Sequence, residues 1–131
     1  MIVADTHVII WDALKPDLLS QPARDAITRA NKGDGIIFCE ISLWEIAMLV
    51  QKKRLQTDAT YQSLIKLILQ SNNYILQGIT PQIAELSTLF PPTVNKDPAD
   101  RLIAATAIAE NAILVTADRN LRQAESVDTL W

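Results

Sequence analysis

Glycine is almost absent from this chain, with 3 in 131 residues. No Gly-rich loop can be built to wrap a phosphate, which excludes a P-loop nucleotidase. One cysteine, Cys39, permits no internal disulfide, and its place in Ile36-Ile37-Phe38-Cys39 predicts a small buried hydrophobe. The single histidine, His7, and that single cysteine are too few for the usual zinc sites. Aromatics are scarce at 5%, so aliphatic side chains must fill the core. The apolar runs are interrupted too early to cross a bilayer, and Met1 leads straight into the first of them with no signal peptide. The expectation is a cytoplasmic protein without membrane contact.

What is present points to a folded chain. Hydrophobic content of 49% and a mean hydropathy of +0.12 exclude disorder, and 131 residues make one domain, 1–131, with a proper core. The net charge of −3 does not announce a nucleic-acid binder. A metal cluster would absorb much of that charge, however, and free Lys52, Lys53, Arg54, Lys96, Arg101, Arg119 and Arg122 to face a phosphate backbone.

Periodicity divides the chain into alternating elements. Buried strands are expected at 1–4 and 35–39, a short strand at 74–76, another strand at 113–116 and a last edge strand at 127–130. Helices are expected at 6–14, from Ser20-Gln21-Pro22 to just before Gly33, and at 42–53, 60–71, 81–90 and 99–110. Alternation of this kind indicates an α/β domain around a largely parallel sheet. Right-handed crossovers then place every strand's carboxyl end on one edge, where ligands bind.

Four acids stand where a folded domain resists a carboxylate. Asp5 closes Ile2-Val3-Ala4, and Asp118 follows Ile113-Leu114-Val115-Thr116-Ala117. Glu45 and Asp100 fall on the apolar stripes of two expected helices. Asp5 and Asp118 both lie on the predicted ligand edge. Singly, each has a structural explanation: Asp5 and Asp118 can cap following helices, Asp97 before Pro98 is a strong N-cap, and Asp100 suits a helix dipole. Jointly, carboxylates from separate segments suit a hard divalent cation acting on phosphates. Thr6, Ser42 and Thr116 can hold carboxylates or water in place, or make local turn bonds. His7 reads as a proton shuttle or as a polar helix start, and Lys52-Lys53-Arg54 as a solvated helix end or an RNA-contacting patch.

At these residues the chain resembles a known family. Asp5-Thr6-His7-Val8-Ile9-Ile10-Trp11, Ile41-Ser42-Leu43-Trp44-Glu45-Ile46-Ala47, Asp97-Pro98-Ala99-Asp100-Arg101-Leu102-Ile103-Ala104-Ala105 and Leu114-Val115-Thr116-Ala117-Asp118 are similar to PIN domains, on the VapC-like toxin branch. The resemblance runs in order along the whole chain, through Leu130-Trp131. It implies a three-layer α/β/α domain with a central, mainly parallel sheet, and an endoribonuclease dependent on Mg²⁺ or Mn²⁺. It carries the family's acidic quartet onto Asp5, Glu45, Asp100 and Asp118. Asp5 and Asp100 become the principal metal ligands, and Glu45 and Asp118 complete the ion shell or orient the attacking water. Arg101 or Arg119 would contact phosphate. The implied products carry 5′-phosphate and 3′-hydroxyl ends. A VapB-like antitoxin would cover the groove of a homodimer, and no DNA-reading module is recognisable in the chain. There are two departures: Asn95 stands where relatives often carry histidine, and Lys53 where glycine is often found.

Other readings of an acidic Mg²⁺ pocket fit less well. An aspartyl-nucleophile phosphatase wants an acid two residues after the first, where this chain has His7. A phospho-receiver wants Asp after its central strand, where Glu40 follows Cys39. A catalytically inactive PIN-like scaffold would have little reason to keep all four acids.

Overall fold

A computed structural model describes residues 1–131. The chain runs β1 (Ile2–Ala4), α1 (Thr6–Leu14), a 3₁₀ turn (Pro16–Leu18), α2 (Gln21–Lys32), β2 (Ile36–Cys39), α3 (Glu40–Gln51), α4 (Tyr61–Ser71), β3 (Tyr74–Gln77), α5 (Pro81–Ser87), α6 (Pro98–Ala109), β4 (Ile113–Val115), α7 (Arg119–Arg122) and β5 (Thr129–Leu130). All five strands join one sheet in the order β3-β2-β1-β4-β5. Every pairing is parallel. The expected α/β class with a mainly parallel sheet is the observed one.

Alternation along the strands divides the core between two faces. Ile2, Ala4, Ile36, Phe38 and Val115 point to one side, where Val8, Ile9 and Ile10 of α1, Ala23 and Ile27 of α2, and Leu64 and Ile68 of α4 cover them. Val3, Ile37, Cys39 and Leu114 point to the other, against Ile103, Ala104 and Ala107 of α6 and Leu121 of α7. Strands this apolar need cover on both faces, so the helices form two outer layers. Cys39 is buried as expected, and desolvation pushes its thiol up to about 11.

Several boundaries differ from the sequence reading for identifiable reasons. Helix α3 begins at Glu40, directly from β2, rather than at Ser42. Ser42 is therefore inside the helix, fully buried. Helix α5 stops at Ser87 rather than Phe90, because Ser87 and Thr88 hydroxyls donate to the carbonyls of Ala84 and Glu85 and end the helical pairing. The last strand keeps only Thr129 and Leu130 of the expected 127–130. Val127 instead plugs the core beside α6 and α7.

The strand order determines where a ligand fits. From β1 the chain winds outward through β2 to β3, then returns to lay β4 and β5 on the opposite side of β1. The direction of winding reverses between β1 and β4. Helix α1 leaves β1 toward one face and α7 leaves β4 toward the other. A crevice opens at such a switch point outside the strand carboxyl ends. Asp5 and Asp118 flank it.

Candidate active site

Asp5 follows β1 and is buried, 6% exposed. It makes no capping hydrogen bond to α1. Its Oδ2 instead accepts a hydrogen bond from the Thr116 hydroxyl at 2.7 Å, and the Asp118 backbone N–H donates to that same hydroxyl oxygen at 3.0 Å. The ends of β1 and β4 are thus tied through one threonine. Burial raises the Asp5 carboxyl above the usual carboxylate range, with the Thr116 bond opposing.

Helix α3 carries Glu45 to the same place. Leaving β2 without a loop, it packs against both α1 and α6. The Thr6 hydroxyl of α1 donates to Glu45 Oε1. A hydroxyl has one proton to give, so the Ser42 hydroxyl, 2.8 Å from Thr6 Oγ1, is the donor of their mutual bond. Ser42, Thr6 and Glu45 form a directed relay. Burial, again the first cause, raises Glu45, with Thr6 opposing and the charge of Asp5 adding. The strip around Glu45 is less buried than its apolar neighbours suggested. Trp44 is 59% exposed, and on α3 only Ser42 and Ile46 are buried.

Asp100 lies in the first turn of α6, whose N-terminus is capped by Asp97 through the N–H groups of Ala99 and Asp100. Burial, then the negative charges of Asp5, Asp97, Asp118 and Glu45, push the Asp100 carboxyl up to about 7. Its Oδ2 accepts from the Asn95 side-chain amide at 2.7 Å. Asp118 does cap α7, accepting from the Leu121 N–H at 3.0 Å through Oδ1. Capping and membership of the cluster are compatible for Asp118, because only one of its oxygens is engaged.

All four acids of the sequence reading thus occupy one edge, and each is oriented through one oxygen by a protein donor. Asp5 has in addition a bond from the Thr6 backbone. The donor set is entirely oxygen. No three acidic, histidine or cysteine side chains close around a common point as a ready metal cage. The acids line none of the larger surface cavities either.

The two arginines separate. Arg119 is exposed on α7 beside Asp118. Arg101 is directed elsewhere: its Nε donates to Asn95 O at 2.7 Å and its Nη2 to Val94 O at 2.9 Å. It braces the loop before α6. From the other side Asn120 donates to Thr93 O at 2.8 Å and accepts from the Asn95 N–H. Sequence reasoning missed this clamp. Its only signal was Asn95 itself, a residue unlike the histidine of relatives at a position next to the acidic motif.

The sequence model of the PIN domain family matches residues 2–127. The chain belongs to the PIN domain family. It is 36% identical over 121 residues to ribonuclease VapC22 of Mycobacterium tuberculosis, covering 92% of this chain and 89% of that one, which places this PIN domain on the VapC-like branch. The fold agrees with a chain in the VapBC2 structure from Rickettsia felis bound to a promoter DNA fragment, at TM-score 0.76 and 20% identity over 99% of this chain and 98% of that one. FitAcB from Neisseria gonorrhoeae gives a TM-score of 0.67 at 20% identity, over 100% and 97% of the two chains. As in the family, this PIN domain places its sheet between two helical layers. No helix is long and apolar enough to cross a membrane.

Proposed function

We propose that this PIN domain is a Mg²⁺- or Mn²⁺-dependent endoribonuclease, the toxin of a cytoplasmic toxin–antitoxin pair. One observation carries the reading: four carboxylates share the edge at the sheet's switch point, each with a protein donor, and burial together with the negative charge of its neighbours pushes Asp100 up to about 7. A divalent cation offsets that negative charge. Mg²⁺ keeps several waters and takes only one or two carboxylates, so it does not require a closed protein cage.

Asp5 and Asp100 would hold the ion, and Glu45 and Asp118 would take a second ion or orient the attacking water. Bound there, the ion supplies Lewis acidity at phosphorus and acidifies a water. The protein's contribution is positioning. Thr116 fixes the Asp5 carboxylate, the Ser42–Thr6 relay fixes Glu45, and Asn95 fixes Asp100. Arg119 stands beside Asp118 to meet a phosphate. The likeness to a VapC ribonuclease supports the activity. The VapBC2 and FitAB structures of similar fold support a VapB-like antitoxin as partner; that this chain is a homodimer and leaves DNA binding to the antitoxin is part of the same proposal.

Incubation of the purified protein and its Asp100→Asn variant with total cellular RNA tests the reading, with Mn²⁺ or Mg²⁺ and with chelator. Discrete cleavage that needs the metal and disappears in the variant is expected. Full metal-dependent cleavage by the variant would sink the site assignment. Cleavage by neither protein, with no heat of Mn²⁺ binding, would favour a non-catalytic PIN-like scaffold.

A further inference from the structure

Beside the acidic edge lies a cavity of about 760 Å³ whose lining includes Arg119, Arg122, Thr129 and Trp131. Its position follows from the topology. β5 pairs with β4, and β4 with β1, all parallel, so the ends of these three strands lie side by side along the carboxyl edge. Adjacent strands are about 4.8 Å apart, which puts the end of β5 roughly 10 Å from the end of β1. Asp5 follows β1, Asp118 and the two arginines follow β4, and Trp131 follows β5. The cavity therefore lies on the same sheet edge as the acids, on the β5 side of them.

Its lining has a distinct chemistry. Arg119 and Arg122 are exposed, in contrast to Arg101, whose guanidinium is bound to the carbonyls of its own loop. Trp131 is half-buried, and Trp11 supports its ring at 5.8 Å between centroids with the planes 55° apart. Trp11 in turn meets His7 at 5.9 Å. His7 is exposed and two residues from Asp5, so a series of rings leads from the acidic groove to the cavity. Two guanidinium groups beside an aromatic face recognise a phosphate and an unpaired base together, with little sequence preference. A chain of net charge −3 needs such a local cationic anchor to hold a polyanion next to four carboxylates.

Resting on the nuclease reading above, we propose that this cavity is a subsite for single-stranded RNA flanking the cleaved bond. A base stacks on Trp131, and Arg122, with Arg119, holds the adjoining phosphate. The occupant is nucleic acid rather than a protein segment because two exposed cationic side chains following Asp118 share the cavity with an aromatic ring, the combination that takes a phosphate and a base together. A strand running from the acidic edge toward β5 meets them.

The test is fluorescence anisotropy of a labelled short oligouridine with the Asp100→Asn protein in Mg²⁺, titrated across a range of salt. Adding Arg122→Ala should weaken binding and reduce the slope of log affinity against log salt by about 0.7, the loss of one single-strand phosphate contact. Adding Trp131→Ala should weaken binding by roughly 5- to 150-fold with the slope unchanged. Trp131→Phe keeps a ring in the packing and should retain most of the affinity, and Arg122→Ala, on an exposed position, still tests the subsite if Trp131→Ala does not fold. Unchanged affinity and slope in Arg122→Ala, while the parent binds RNA, would overturn the proposal. So would unchanged RNA affinity combined with weaker binding of a co-purified protein partner, which would assign the cavity to that partner. Loss of the nuclease reading is told apart by the unsubstituted protein: absent metal-dependent cleavage with the expected slope change removes the activity and leaves the cavity as a nucleic-acid site.

Discussion

At the scale of single residues, Asp5, Glu45 and Asp100 are held in a state that favours protonation. Asp100 moves from 3.8 to about 7, and Asp5 and Glu45 shift the same way. Between those values the folded, metal-free protein binds more protons than the unfolded chain, so stability falls as pH rises. The stabilising contribution is complete below about pH 4 and is lost as pH passes through about 7. Thermal melts in chelator should therefore show a higher midpoint at about pH 5 than at about pH 8, and Asp100→Asn should flatten the difference. An unchanged pH dependence in the variant would mean that burial and its acidic neighbours do not raise Asp100. Asn95 calls for a separate measurement. Its amide is the donor that orients Asp100, and groups that orient ligating carboxylates matter to activity by roughly 10- to 100-fold. Asn95→Ala should lose cleavage by that factor with the fold intact by circular dichroism, while Asn95→His, which keeps an N–H donor, should lose less. Equal losses in both variants would assign Asn95 to the loop alone.

At the scale of elements, helix ends explain the Lys53 departure noted in the sequence. Helix α3 closes with the Arg54 N–H donating to Leu49 O at 2.9 Å and the Lys53 N–H to Val50 O at 3.0 Å. Helix α6 closes the same way, with Ala112 to Ala107 O and Asn111 to Ile108 O. Both are Schellman motifs, which need a left-handed residue just past the helix. Lys53 has φ 54° and Asn111 φ 50°. Asparagine tolerates that conformation, whereas lysine is strained in it by about 1 kcal/mol. Lys53→Gly should therefore raise stability by several tenths of a kcal/mol after the entropy of the unfolded glycine is counted, seen as a higher denaturation midpoint at unchanged m. A lower midpoint would show that Lys53 makes a stabilising contact outweighing its strain. Strands and helices of this kind were legible because apolar periodicity, caps and prolines act over a few residues. The pairing of their side chains was not. Thr116 reaches Asp5 across 111 residues and Thr6 reaches Glu45 across 39, and no local pattern encodes which hydroxyl meets which carboxylate. In the sequence, topology placed Asp5 and Asp118 on one edge, the family resemblance added Glu45 and Asp100, and tertiary packing decided their partners.

At the scale of the whole molecule, much of the acidity is gathered at one end of the sheet. Five of the 15 acidic residues, Asp5, Glu45, Asp97, Asp100 and Asp118, act on one another there, in a chain whose net charge is only −3. Gathering like charges where the fold buries Asp5 opposes folding unless something positive arrives. A cation bound only by the folded state must then stabilise the entire domain, by RT ln(1 + [ion]/Kd), which reaches about 2.7 kcal/mol at a hundredfold excess over Kd. The melting temperature should climb continuously with Mn²⁺ or Mg²⁺ concentration at about pH 8, above the value of about 7 to which Asp100 is pushed, and climb less at about pH 5, where protons compete for Asp100. Sodium chloride at matched ionic strength should reproduce little of the rise, because screening acts weakly on groups removed from solvent. Asp5→Asn should abolish most of the metal-dependent rise while keeping a folded baseline, since an amide can still accept from Thr116 but offers no charge to the ion. An equal rise in the wild-type and Asp5→Asn proteins would place the cation elsewhere on the surface and remove it from the reaction.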